Sequence, residues 1–224
     1  MVRITRRIAP TDVMPTDPGY GAEERHTIVL FSDWTPANRS PHDEDVEVYS
    51  NCQEVELFLN GHSLGAQQLH ADASPRVWTV KYARGTLKAV ARDGGRVVAT
   101  DELRTAGPPA RIRLTADGDR LGDDWNDVAF VRAAVVDRHG VVVPSAADLI
   151  SFKLAGPGVI AAVDNADNAT HEPFQSDRRR AFHGECVAYV KASAPAGKII
   201  VTASAPGLKA GTIAIEAGPS AAAQ

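Results

Sequence analysis

The sequence predicts an all-β chain built as two tandem immunoglobulin-like β-sandwiches, and three observations carry that expectation. Apolar residues alternate with polar ones over five to eight positions, with almost no helical periodicity. Eighteen Gly and fourteen Pro punctuate the chain into short elements. The length, 224 residues with 44% hydrophobic content, suits two modules better than one large core.

The individual strands follow from the alternation. In Asp45–Ser50, Val46 and Val48 face one way while Glu47 and Tyr49 face the other. In Glu54–Leu59, Val55, Leu57 and Leu59 form the apolar face. Asn60-Gly61 follows directly, and both residues accept positive φ, a strong hairpin signal. Arg76–Tyr82 aligns Trp78, Val80 and Tyr82. Thr86–Arg92 and Arg96–Thr100 flank a second turn, Asp93-Gly94-Gly95. With Thr27–Phe31 these make a sandwich-sized set of strands before Thr105.

Ala106-Gly107-Pro108-Pro109 interrupts the pattern, because Pro109 has no amide to donate and Gly107 is permissive. The second set begins at Arg111–Thr115 and continues with the long strand Asp127–Asp137, closed by Arg138-His139-Gly140. Further strands are expected at Ile150–Leu154, Val159–Val163, Cys186–Lys191, Lys198–Ser204 and Gly211–Glu216, and a short helical turn at Ala146–Leu149. The expected organisation is a linker over residues 1–25, a first sandwich over 26–106, a second over 109–217 and a frayed tail over 218–224.

Bulk properties narrow the function classes. Lys and Arg number 24 against 28 Asp and Glu, a well-mixed net charge of −4 that gives no general attraction to nucleic acid or to an anionic membrane. No stretch approaches the ~20 apolar residues of a membrane helix, and residues 1–26 hold no apolar run of signal-peptide length. A complete chain of this kind is expected to be soluble and intracellular. Cys52 and Cys186 lie in or beside apolar runs and are expected to be structural thiols.

The search for chemistry yields little. Seven histidines show no metal-type pairing with each other or with Cys. Asp164–Asn168 (DNADN) is rich in oxygen donors, but Ala166 occupies a ligand position of the helix-loop-helix calcium motif and the flanks are strands. The readings left are a non-standard calcium site and a set of Asx turns. No nucleophile elbow and no phosphate-binding glycine loop occurs. Arg178-Arg179-Arg180 is a local basic knot without aromatic partners for nucleic acid. Trp34 and Trp125 lie in polar loops, where an exposed indole stacks on a sugar ring or fills an interdomain or intersubunit pocket. With Asp164, Asn165 and His171 they are the candidate contact residues. No catalytic, metal or cofactor site is expected.

Two regions resemble a known family. Val46–Gly65 (VEVYSNCQEVELFLNGHSLG), Gly85–Val90 and Val97–Gly107 look like the module that follows the catalytic barrel in bacterial glycoside hydrolase family 2 β-galactosidases. His26 and Trp34, around TIVLF, match the family's His–Trp-containing strand. Asp127–Asp137, Val163–Phe174 and Arg179–Cys186 resemble its C-terminal bacterial Ig-like domain, of the invasin/intimin type. Relatives read closer to N-G-D-P at the Asp164 stretch, from which Ala166 and Asn168 depart. The resemblance covers residues 26–217 and implies that the acid/base and nucleophile glutamates lie in an upstream (β/α)₈ barrel with no counterpart here. It implies the barrel as partner, carbohydrate and self-association as further contacts, and a periplasmic or secreted parent. The alternatives are a carbohydrate-binding module and an adhesin-type Ig-like spacer.

Overall fold

A computed structural model describes residues 1–8, 29–122 and 127–218. Among the described residues all regular structure is β, and the chain divides into two compact units, Met1–Thr105 and Ala106–Gln224.

The first unit holds β1 (Val2–Ile8), β2 (Val29–Phe31), β3 (Asp43–Ser50), β4 (Glu54–Leu59), β5 (His62–Gln68), β6 (Arg76–Lys81), β7 (Thr86–Asp93) and β8 (Arg96–Arg104). They form two four-stranded sheets, in the orders β2-β1-β3-β6 and β5-β4-β7-β8. Alternation dictates which side chains meet between them. Ile4, Val46 and Val48 from one sheet pack with Val55, Leu57, Leu87 and Ala89 from the other, all fully buried. Each such Val, Leu or Ile contributes roughly 1.5–3 kcal/mol by leaving water. The β4–β5 hairpin turns at Asn60 (φ 52°) and Gly61 (φ 82°), the pair of positive φ values that matches strand twist.

The second unit holds β9 (Arg111–Ala116), β10 (Arg120–Leu121), β11 (Ala129–Val136), β12 (Leu149–Ala155), β13 (Gly158–Asp164), β14 (Arg178–Arg180), β15 (Glu185–Ala192), β16 (Gly197–Ser204) and β17 (Gly211–Ala217). Its sheets run β10-β17-β16-β12-β14 and β13-β15-β11-β9. Val131, Ala133 and Val135 of β11 meet Ile150, Phe152, Val201 and Ile215 across the interface. Gly211 permits the close approach of β17 to β9: a Cβ there would stand 2.5 Å from the Ile112 carbonyl oxygen.

Several expectations are corrected. Val2–Ile8, read as linker, is a strand paired with β2 and β3. Its alternation is masked because Arg6 occupies an inward slot. Strand β5 returns from the hairpin that Asn60-Gly61 signals, but the sequence gives it no range, since its side chains are nearly all exposed and its place at the sheet edge is set by backbone pairing with β4. The short helical turn expected at Ala146–Leu149 does not form: Leu149 begins β12, and Ala146 only closes a turn onto the Val143 carbonyl. The expected strand Thr27–Phe31 begins at Val29 among the described residues, and His26 lies outside them.

Candidate functional site

The alternation that builds each sheet also decides which polar side chains are drawn inward, and both units contain a buried arginine network. In the first unit Arg6 follows Val2 and Ile4 on the inward side of β1 and is 7% exposed. Its Nη1 donates to Glu44 Oε2 at 3.3 Å, and its Nη2 donates to Asp33 Oδ1 at 3.1 Å. His42 Nε2 lies 2.7 Å from the other Glu44 oxygen, and its Nδ1 lies 2.7 Å from the Ser40 carbonyl. The Ser40 contact, then the Glu44 carboxylate, raises the His42 pKa above its ordinary value.

Trp34 sits beside this network, and its expected role is corrected. It is fully buried within the first unit's core, its ring 5.3 Å from Tyr82 and its Nε1 donating to the Ala83 carbonyl at 3.0 Å. The polar letters around it misled because Asp33 and Thr35 are themselves mostly buried, with Asp33 bound to Arg6 and to the Thr35 amide.

Arg76 is a second inward arginine, 1% exposed, on the face it shares with Trp78 and Val80. It donates to the carbonyls of Ser50, Cys52, Gln53, Gln67 and Gln68 at 2.6–3.3 Å, joining the β3–β4 connection to the end of β5.

The second unit's network is centred on Arg179, which is 0% exposed although its neighbours Arg178 and Arg180 face solvent. The basic knot is therefore not a uniformly solvated patch, because strand parity turns its middle residue inward. Arg179 Nη1 donates to the Glu172 carbonyl at 2.7 Å, and Nη2 donates to Asn165 Oδ1 at 3.0 Å and Asp164 Oδ1 at 3.4 Å. Its guanidinium carbon lies 5.1 Å from the Phe174 ring centroid.

The oxygen-rich loop closes around that arginine. Asp164 Oδ1 accepts the amides of Asn165 and Ala166, Asn165 Oδ1 accepts that of Asp167, and Asp167 Oδ1 accepts that of Ala169. This is a succession of Asx turns, with Ala166 at φ 59°. Among the described residues no three His, Cys, Asp or Glu side chains group as a metal site. His171 is exposed on the same loop, and Trp125 lies outside the described residues. Of the five candidate contact residues, the structure brings Asp164 and Asn165 together on Arg179, while Trp34 belongs to the first unit. The inward placement of these arginines was missed, although Arg6 and Arg76 stand at the parity of buried apolar neighbours; for Arg179 the same-parity cue is only Ala181.

Both cysteines are free and buried, and burial pushes the Cys186 thiol up to about 12.

Comparison with known proteins adds the following. Residues 112–214 match the model described as glycoside hydrolase family 2 C-terminal domain 5, and residues 43–99 match a domain of unknown function (DUF4982). The β-galactosidase BoGH2A of Bacteroides ovatus is 39% identical over 196 residues, 87% of this chain and 23% of that protein. A crystal structure of a glycosyl hydrolase family 2 member from Bacteroides cellulosilyticus superposes with a TM-score of 0.81 at 33% identity, over 96% of this chain and 28% of that one. A β-glycosidase from Bacteroides vulgatus superposes with a TM-score of 0.78 at 28% identity, over 83% of this chain and 24% of that one. The chain thus spans about a quarter of the length of the relatives it matches.

Proposed function

Because the chain belongs to the C-terminal region of the glycoside hydrolase family 2 proteins, we propose that it is the non-catalytic accessory part of a β-galactosidase-like glycosidase. It buttresses the catalytic barrel and helps to frame the substrate cleft. In such a parent, a retaining mechanism uses two carboxylates about 5 Å apart, one as nucleophile and one as acid/base, and both belong to the barrel.

The observation that carries this reading is the use made of charge inside the two units. Arg6 consumes Asp33 and Glu44, and Arg179 consumes Asp164 and the loop ending at Glu172. A catalytic acid or nucleophile has to reach substrate, whereas these carboxylates hold loops to sheets. The relatives' greater length supplies room for a barrel elsewhere in the polypeptide.

The test is an assay of the purified chain against 4-nitrophenyl β-D-galactopyranoside. The expected result is a folded protein with no turnover above buffer. Hydrolysis that co-elutes with the chain through two orthogonal columns would overturn the proposal.

A further inference from the structure

Phe130 is the large apolar side chain that β11 leaves in solvent. Val131, Ala133 and Val135 of β11 fill the core, while Phe130 points outward and is 47% exposed. Its register partner on β15 is Tyr189, and the two rings meet edge to face at 5.1 Å between centroids. Half of the Phe130 ring is left in water, where a polar side chain would be the ordinary occupant. The outward parity of β11 continues to Arg132, which stands opposite Thr115 on β9 and Val187 on β15. These side chains, with Ala116 and Asp117, line a shallow depression of about 370 Å³.

We propose that this outer sheet face of the second unit binds one uncharged pyranose ring, stacked on Phe130 and hydrogen-bonded at its rim by Asp117, Thr115 and Arg132. The ring-hydrogen face of a pyranose is weakly positive and meets the negative face of an aromatic ring. The Phe130–Tyr189 contact fixes that platform in orientation. Asp117 is held at its edge by accepting the Phe130 amide at 2.9 Å through Oδ1. Arg132 has one long ionic contact, 4.0 Å to Glu185, and its side chain is 65% exposed.

The charges choose the ligand class. A carboxylate-bearing sugar would gain from Arg132 but meet Asp117, and a cation would meet the reverse. A neutral ring with hydroxyls that both donate and accept uses both groups. The volume sits at the lower end of small-molecule sites, about 300–1,000 Å³. The choice of a saccharide also draws on the proposed membership of a glycosidase.

The test is an amide-resolved NMR titration of the whole chain with methyl β-D-galactopyranoside, methyl β-D-glucopyranoside and methyl β-D-glucuronide, each to 50 mM. Saturable shifts with at least one neutral glycoside, at the amides of Phe130, Arg132 and Val187, are expected. Phe130→Ala should weaken binding at least tenfold while the amide spectrum stays that of a folded chain, and Phe130→Trp should retain binding. No shift at these amides with either neutral glycoside, or shifts that Phe130→Ala leaves intact, would overturn the site. Shifts with the glucuronide alone would overturn its neutral assignment. Turnover of the nitrophenyl galactoside is a separate readout, so the accessory reading and this site fail independently.

Discussion

The backbone amide of Ile4 donates to the carboxylate of Asp101 at 2.7 Å, joining the edge of one sheet of the first unit to the last strand of the other. Strand β2 pairs with β1 only at Arg6–Ile8, so the amides of the preceding residues on that side lack a neighbouring strand. Asp101 occupies the gap. It lies on the exposed edge strand β8, where a Leu or Val would have been just as compatible with β pairing.

Asp101→Ala is therefore expected to destabilise the first unit by about 1–3 kcal/mol, the cost of stranding a buried donor. Asp101→Asn keeps an acceptor oxygen and should lose less. Urea titration of the two variants checks this, and equal losses would argue that the charge matters rather than the acceptor.

Arg179→Lys should destabilise the second unit by about 1.5–3 kcal/mol, because one ammonium cannot replace the fork that reaches the Glu172 carbonyl and Asn165 together. The loop carrying His171 should loosen first. Amide hydrogen exchange over residues 164–174 reads this directly, and protection equal to wild type would contradict the role given to Arg179.

The first unit should respond to pH through His42. Its pKa is raised in the fold by the Ser40 carbonyl and Glu44. The protonated form is thus favoured in the native state, and the stability it adds is fully present below the unfolded value of 6.5. That stability is lost as pH rises through the higher folded value. Thermal melts between pH 6 and pH 8 should show a decline that His42→Gln removes. An identical decline in the variant would assign it to another group.

Both thiols should resist modification in the native protein. Cys52 and Cys186 are 2% and 3% exposed, and burial holds the Cys186 thiol near 12, far from the reactive thiolate at neutral pH. Ellman's reagent should report no fast-reacting thiol until denaturant is added, then two. Rapid labelling of the native chain would show that one of the units opens locally.

How much of this was legible in the sequence differs from element to element. Strand β4 was read to its exact ends, because Val55, Leu57 and Leu59 alternate cleanly and Asn60-Gly61 stops them. The β7–β8 turn was equally plain from Asp93-Gly94-Gly95, with both glycines at positive φ. Strand β1 was not, since Arg3, Arg6 and Arg7 hide the parity of Val2, Ile4 and Ile8 until Asp33 and Glu44 are known to neutralise Arg6. Trp34 shows the same limit from the other side: a polar neighbourhood in sequence became a buried one in space.

The sequence by itself determined what is local: the period-two patterning, the turns that close it, the two-unit division near Gly107, and the family to which those motifs belong. Hydrophobic alternation and positive-φ residues act over a few positions, so they can be read along the chain. The tertiary structure alone decided which charges went inward. Arg6, Arg76 and Arg179 find partners 7 to 38 residues away, and burying a guanidinium is favourable only where those acceptors converge. It also decided that Phe130, one apolar residue among many on paper, faces water beside Tyr189. That is a question of which side of a sheet the core occupies, and only the packed sandwich answers it.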